Sequence, residues 1–287
     1  MAASVTTLAP ERLYALHNTV ALDGRVAAYP SAVRGHAPVN CYLLRELDGA
    51  LMLDTGFAAH EAAITAQLEP LLAGGIPLTL CPLRMNEFMS VSNTIPLAKR
   101  FPPARCLAMI RDAAYQLDFE SITDADIEHS AQVMPVKLMA GNEWMDVGAK
   151  AARPIKFFQS ALRLIATRWI YDKTNKTLFT SDMFTHSWGA SENESWILDE
   201  SNDDVSIDQV RSFMLGTRYW WVEGAQTEPL RRALGSVFEQ CDIETVAPGY
   251  GKILRGRATV ERHYAMLDEV LRREDRSLVP ARYIPRD

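Results

Sequence analysis

The histidines and cysteines of this chain, the residue types that most often bind metals, form none of the spacings of a metal motif. No two histidines stand in a His-x-His or His-x-x-x-His arrangement, so they give no ligand cluster. The cysteines include no Cys-x-x-Cys pair, which argues against a zinc ribbon and favours a reduced, cytoplasmic setting. The residues concerned are His17, His36, His60, His129, His186, His263, Cys41, Cys81, Cys106 and Cys241.

The segment Leu83–Asn93 holds a carboxylate whose surroundings suit acid–base chemistry. Glu87 lies among Met85, Phe88 and Met89. Burial among such side chains would raise its pKa and make it a candidate general acid or base. The alternative interpretation is an ordinary solvated carboxylate on a loop.

The elements that must position this segment are predicted from apolar runs and turn signals. Strands occur in two runs, each flanked by helices, which predicts an α/β protein with two mixed β-sheets packed face to face, an αββα sandwich. We interpret residues 1–287 as a single domain. The helices expected in it cover 61–72, 93–100, 208–214, 227–239 and 259–273, with a strand over 162–171, a long loop over 189–204 and a tail after the last helix.

Composition excludes several classes of function. Hydrophobic residues make up 48% and charged residues 23%, an ordinary globular balance, and the formal net charge is -6. Lysine and arginine are scattered, whereas proteins that bind nucleic acid usually carry a basic stripe. No apolar run approaches the length of a membrane span, and the N-terminus lacks the pattern of a signal peptide. We therefore expect neither nucleic acid nor membrane as a partner.

Several stretches of the chain follow one another in a recognisable order and spacing. They are Asn40–Leu44, Ala50–Phe57, Leu97–Pro102, Gly141–Gly148, Leu178–Phe184 and Val246–Gly251. Together they resemble the diiron domain of flavodiiron proteins and of their stand-alone oxygen-binding relatives, which has the metallo-β-lactamase fold. The resemblance covers about residues 40–255, roughly three quarters of the chain.

This resemblance implies where a diiron site would lie. The family's loop ligands fall on Met85, Glu87, Met89 and Ser90, its next histidine on Gln159, its bridging aspartate on Asp182 and its last histidine on Tyr250. Only Glu87 and Asp182 keep a side chain of the metal-ligand type. Asp54 stands where the fold uses an aspartate to brace the loop through hydrogen bonds.

The replaced ligands predict that the dinuclear centre has been lost. Thioether sulfur and an uncharged amide oxygen are poor ligands for iron or zinc. We therefore expect no metal cofactor, with iron at an unconventional site as the alternative. The chain ends at Asp287, which leaves no room for the flavodoxin domain of flavodiiron proteins, so no FMN is expected. The resemblance also implies a homodimer.

The remodelled site is expected to be a pocket. Met85 and Met89 would fill part of the former metal cavity, since methionine adapts to irregular gaps. Ser90, Gln159, His186 and Trp188 are further candidates to line it. Trp188 belongs to a tryptophan group that could bind a flat ligand or could simply pack in the core or the dimer; the others are Trp196, Trp220 and Trp221. The histidines on helix faces, His60 and His263, are expected to be exposed.

Three functions remain open from the sequence. The first is a metal-free protein that binds a small molecule or a partner in the pocket. The second is a metal-independent enzyme in which Glu87 and Asp182 act as acid and base, as a pair that could share a proton, and Tyr250 polarises an oxygen. The third is a redox or oxygen-related protein with an unconventional metal or haem site.

Overall fold

Two seven-stranded sheets form the centre of the part of the chain that the computed structural model describes, residues 2–84, 87–102, 104–111, 134–150, 153–163 and 165–279. The first sheet contains β1 (Ala3–Ala9), β2 (Leu13–Ala21), β3 (His36–Glu46), β4 (Gly49–Leu53), β5 (Leu78–Cys81), β6 (Ala104–Ala108) and β7 (Val136–Leu138). The second contains β8 (Trp144–Val147), β9 (Arg153–Gln159), β10 (Arg168–Asp172), β11 (Thr177–Ser181), β12 (Ile197–Leu198), β13 (Thr245–Pro248) and β14 (Ile253–Arg255).

Both sheets are mixed. The first has the order β1-β2-β3-β4-β5-β6-β7, antiparallel as far as β4 and parallel from β4 to β7. The second has the order β12-β14-β13-β11-β10-β9-β8, in which β11 and β13 are a parallel pair. This architecture confirms the predicted sandwich of two mixed sheets.

Helices cover the outer face of each sheet. Among the described residues they are α1 (Glu61–Leu71), α3 (Thr94–Arg100), α4 (Ile207–Gly216), α5 (Glu228–Gln240) and α6 (Arg257–Arg273), and the four-residue helix α2 (Phe88–Val91) precedes α3. Short 3-10 turns occupy Ala58–His60 and Trp220–Val222. In the described part of the chain, no helix is long and apolar enough to cross a membrane.

The central strands are apolar at successive positions because they are buried on both faces. In β3, Tyr42 and Leu44 pack between the two sheets, whereas Cys41 and Leu43 pack toward α1 and α3. A third cluster fills the space between the second sheet and α4–α6. The run of apolar residues in β3 therefore follows from the layered architecture.

Two sequence expectations need correction. The strand expected over 162–171 is shorter, Arg168–Asp172, because Ser160 and Arg163 hydrogen-bond to nearby carbonyls and turn the chain before it. The loop expected over 189–204 contains the two-residue strand β12, whose residues pair with β14.

A buried ion network joins the two sheets at one end. Arg153, at the start of β9, contacts the Asp172 carboxylate at 2.6 Å and the Glu46 carboxylate at 3.5 Å. Its Nη1 also donates to the carbonyl of Arg12 at 2.6 Å. The Arg153 side chain is fully buried, so its charge depends entirely on these partners.

We predict that Arg153→Met destabilises the protein by about 3–5 kcal/mol, because the Asp172 carboxylate would lose its buried counter-charge, whereas Glu46 would keep Arg12 at 2.6 Å. Urea unfolding followed by circular dichroism measures this change. Arg100→Met is the matched control: Arg100 pairs with Glu69 on the exposed surface, where loss of a salt bridge costs about 0–1 kcal/mol. Equal losses in the two variants would contradict the assignment.

Candidate functional site

Residues from both sheets converge where a set of strands ends. Asp54 directly follows β4, and Arg84 lies just beyond β5. Asp182 directly follows β11, and Tyr250 lies just beyond β13. In α/β sheets the carboxyl ends of the strands are the usual place for ligands.

The guanidinium of Arg84 bridges the two carboxylates that the sequence singled out. Its Nη1 lies 3.4 Å from Glu87 Oε1, and its Nη2 lies 3.5 Å from Asp182 Oδ2. The Arg84 side chain is only 2% exposed. The structure therefore brings Glu87 and Asp182 to one site, but as two partners of a shared cation.

Asp182 is held on its other side by a tyrosine. The hydroxyl of Tyr219, which follows α4, donates a hydrogen bond to Asp182 Oδ2. Burial and the neighbouring Asp182 charge hold the pKa of Tyr219 well above its usual range, so the hydroxyl keeps the proton it donates. Asp182 is thus enclosed by Arg84 and Tyr219.

Glu87 faces a more open region and has three neighbours. The hydroxyl of Tyr250 donates to Glu87 Oε1 at 3.3 Å, and Arg218 Nη1 lies 3.8 Å from Glu87 Oε2. Arg84 is the third neighbour. Burial and the Glu87 charge raise the pKa of the Tyr250 phenol well above its usual range. Glu87 therefore accepts from a neutral phenol and lies beside two guanidinium groups.

The four charged groups balance. Arg84 and Arg218 supply two positive charges, and Glu87 and Asp182 supply two negative charges. A charge removed from water is tolerated when it is paired in this way, whereas an unpaired one is very costly. These four side chains therefore carry no net charge together, although Arg84 Nε and Nη1 and Asp182 Oδ1 are buried without a hydrogen-bond partner among the described residues.

Asp54 braces the loop that carries Arg84 and Glu87. Its Oδ1 accepts the backbone N–H of Leu83 at 2.8 Å. Burial raises the pKa of the Asp54 carboxyl to about 7, against the Leu83 hydrogen bond, the nearby Ser90 side chain and the Arg84 charge. The backbone at Asp54 has φ 58, a left-handed conformation that costs a non-glycine residue free energy.

The residues predicted to fill the metal cavity have defined places. Met89 is fully buried in one apolar cluster with Tyr250, and its sulfur accepts from Ser90 Oγ at 3.4 Å. Gly249 leaves room for it, because a Cβ there would come within 2.8 Å of Met89 Cε. Met85 lies outside the described residues.

The structure does not bring Gln159 or His186 to this site. Gln159 is exposed at the end of β9. His186 is buried, with its Nε2 2.7 Å from His263 Nδ1, and His263 in turn contacts Asp203 at 3.0 Å. These contacts direct His186 toward α6, away from Glu87.

The expected exposure of two histidines is wrong. His263 is fully buried because the face of α6 that carries it packs on the second sheet, and His60 is 2% exposed. His129 lies outside the described residues. Trp188 is half-buried, and its ring meets Tyr29 edge-on at 5.8 Å between centroids.

A cavity of about 540 Å³ opens in front of Glu87. Its polar lining includes Glu87, Arg218 and Tyr250, and neither Asp182 nor Trp188 lines it. Its other lining residues are Val20, Ala21, Asp23, Arg25, Val26, Ala27, Phe57 and Phe88. This combination of mostly apolar walls with a few polar groups is typical of a small-molecule site.

The donor set does not fit a dinuclear metal centre. Arg84 lies against Glu87 Oε1 and Asp182 Oδ2, so an ion that bridged these two oxygens would lie beside its positive charge, although Asp182 Oδ1 is buried without a hydrogen-bond partner among the described residues. Among the described residues, which exclude Met85 and Asn86, no group of three or more histidine, cysteine, aspartate or glutamate side chains could hold an ion.

The fold matches solved structures of flavodiiron proteins. A rubredoxin oxygen:oxidoreductase from Desulfovibrio gigas has a TM-score of 0.66 at 13% identity, over 94% of this chain and 62% of that chain. A mutant flavo-diiron protein from Thermotoga maritima has a TM-score of 0.65 at 15% identity, over 94% and 62%. A fragment described as a diflavin flavoprotein, from Nostoc, has a TM-score of 0.63 at 13% identity, over 94% and 96%. No protein-family model and no curated protein matches the sequence.

These comparisons define the class of fold. The chain has the metallo-β-lactamase-like fold of the diiron domain in flavodiiron proteins, which confirms the resemblance seen in the sequence. It spans 62% of the length of the first two proteins and 96% of the Nostoc fragment. At 13–15% identity, the likeness concerns the fold and not the activity.

Sequence reasoning missed the arginines and the tyrosine that complete the site. Arg84 stands directly before Met85, and Arg218 and Tyr219 lie in a turn more than a hundred residues later. A usable signal existed for Arg84: two carboxylates kept without their metal ligands require a new counter-charge, and an arginine lies in the same loop. No comparable signal marked Arg218 or Tyr219.

We predict that Asp54→Asn flattens the pH dependence of stability. The pKa of Asp54 is about 7 in the folded protein, against an ordinary value of 3.8, so the folded state holds an extra proton between these pH values. The stability contributed by this group is present below pH 4 and is lost as pH rises through 7. At about 1.4 kcal/mol per pKa unit, the loss reaches roughly 4 kcal/mol.

Urea unfolding at several pH values between 4 and 8 measures this effect. The amide side chain of the Asp54→Asn variant would keep an oxygen that accepts the Leu83 N–H. The free energy of unfolding of the variant should therefore rise relative to that of the wild type as pH rises. Asp146→Asn, on the exposed strand β8, is the control and should follow the wild type. Parallel curves for wild type and Asp54→Asn would contradict the prediction.

Proposed function

We propose that this chain binds a small molecule in the cavity in front of Glu87, and that the Arg84 guanidinium replaces the metal ions of a diiron domain. The observation that carries this proposal is the position of Arg84, which contacts both surviving carboxylates while being 2% exposed. This position supports the predicted loss of the dinuclear centre. The cavity then remains as the part of the site that a ligand can enter.

Electrostatics support the metal-free state. Two unit charges 4 Å apart interact by about 4 kcal/mol at an effective dielectric constant of 20, and a divalent ion doubles that figure. An ion bound to Glu87 and Asp182 would lie close to the Arg84 guanidinium, and Arg218 would add further repulsion. Metal binding would therefore require Arg84 to leave its buried position.

The cavity supports binding of a small molecule. Its volume of about 540 Å³ lies within the range of roughly 300–1,000 Å³ that is usual for ligand sites. Phe57 and Phe88 offer apolar surface, and Glu87, Arg218 and Tyr250 offer hydrogen-bonding groups at one end. Such a site binds a molecule with an apolar body and a polar head.

The geometry favours binding over the other two hypotheses. An acid–base pair needs both carboxylates at the substrate, but Asp182 lies behind Arg84 and does not line the cavity. Glu87 itself already lies beside two guanidinium groups. An unconventional iron or haem site would need His186 as a ligand, but the Nε2 of His186 is hydrogen-bonded to His263.

We predict that purified protein incubated with iron(II) or zinc and then desalted contains no stoichiometric metal, because Arg84 blocks the carboxylates. Inductively coupled plasma mass spectrometry measures the content per chain. The double variant Glu87→Gln/Asp182→Asn is the control, and its trace metal should equal that of the wild type. One or two ions per wild-type chain, lost in the control, would contradict the proposal.

We also predict that small fragments bind in the cavity and that Ala27→Trp prevents this. Ala27 lies on the cavity wall, so an indole there would fill the space. Ligand-detected NMR with a fragment library measures binding. Ala73→Trp, an exposed residue beyond α1, is the matched control and should bind like the wild type. If no fragment binds, or if Ala27→Trp binds them equally, the proposed pocket is wrong.

A further inference from the structure

The hydrogen-bonding state of Arg218 distinguishes it from the other charged groups of the cavity. Its side chain is 15% exposed, and its ion-pair contact is the 3.8 Å approach to Glu87. That distance exceeds a hydrogen bond. Within the described residues, the Arg218 guanidinium makes no hydrogen bond. Its N–H donors, five in any guanidinium, therefore remain available at the cavity wall.

The other charged groups of the wall are already engaged. Glu87 has Arg84 and the Tyr250 hydroxyl as further neighbours. Asp23 and Arg25 bond to each other, with Arg25 Nε 2.7 Å from Asp23 Oδ2. Among the charged side chains of the described wall, Arg218 is therefore the one that makes no hydrogen bond.

Charge also selects the ligand. A cationic ligand would compete with two guanidinium groups for Glu87 and would be repelled by both. A small anion could instead take the free donors of Arg218. A carboxylate matches the planar fork of a guanidinium and forms two parallel hydrogen bonds with it.

The apolar residues of the cavity wall indicate the chemistry of the rest of the ligand. Phe88 is 59% exposed although it lines the cavity, and Phe57, Val20 and Val26 lie on the same wall. Burial of such surface under a ligand is favourable at about 25 cal/mol per Å². The wall therefore fits a hydrocarbon or aromatic body next to the charged head.

We propose that the ligand of this cavity is a small amphipathic monocarboxylate whose carboxylate pairs with Arg218 and whose apolar body lies on Phe57 and Phe88. This inference rests on the proposed function, because it needs the cavity to be a binding site. It adds the charge of the ligand and the residue, Arg218, that binds the charged group.

The test compares three probes that differ only in the head group: 3-phenylpropionate, 3-phenylpropionamide and 3-phenylpropylamine. Dissociation constants come from NMR titration of the full chain at one pH and ionic strength. We expect the carboxylate to bind at least about tenfold more tightly than the amide, because its hydrogen bonds to the guanidinium are charge-assisted. The amine should bind most weakly.

Variants locate the effect. Arg218→Gln should remove the preference for carboxylate over amide, and Arg218→Lys should keep part of it, since the charge stays but the fork is lost. Arg34→Gln, an exposed arginine outside the cavity, is the matched control and should bind like the wild type. Equal circular dichroism spectra and melting temperatures would show that the variants are folded.

Each outcome decides the inference. Tighter binding of the amide or the amine, or a preference unchanged in Arg218→Gln, would overturn the carboxylate assignment while leaving a functioning pocket. No saturable binding of any probe would also overturn it. The fragment screen with Ala27→Trp then shows separately whether the cavity binds other molecules, so the two proposals fail in different experiments.

Discussion

One interaction organises this site: the buried guanidinium of Arg84 between the carboxylates of Glu87 and Asp182. Two carboxylates at the meeting point of two sheets would repel each other and would have lost most of their hydration. A shared cation resolves both problems without an external ion. In the proposed function, this internal side chain takes the place of the metal ions of a diiron domain, and the cavity outside Glu87 is the site for a ligand.

The surrounding structure serves to hold this arrangement. Asp54 fixes the loop between β5 and α2 through the Leu83 amide, and it adopts a left-handed backbone conformation to do so. Ser181, at the end of β11, has φ 55 and directs the chain into Asp182. Such strain persists only where neighbouring structure over-determines it. Tyr219 then closes the site from the side of α4. Strand ends, two strained residues and a loop brace together determine where the charges meet.

The sequence predicted the fold well and the site only in part. Apolar runs such as β3 and the order of motifs up to Val246–Gly251 were enough to predict the sandwich of two sheets, because apolar runs follow directly from burial and turn residues mark the ends of strands. Glu87, Asp182 and Tyr250 converge as the resemblance implied. Gln159 and His186 do not, because their placement depends on a local turn and on pairing with His263. Arg218 could not be predicted, since only tertiary packing brings it to Glu87.

The most direct test of this account is a double-mutant cycle between Arg84 and the two carboxylates, measured by urea unfolding. Arg84→Met alone should cost about 3–5 kcal/mol, because Asp182 loses its buried counter-charge and Glu87 keeps only the more distant Arg218. The same change in the Glu87→Gln/Asp182→Asn background should cost far less, with a coupling free energy of about 2–3 kcal/mol. If the effects add to within about 0.5 kcal/mol, Arg84 is not the counter-charge of these carboxylates, and the account of the site is wrong.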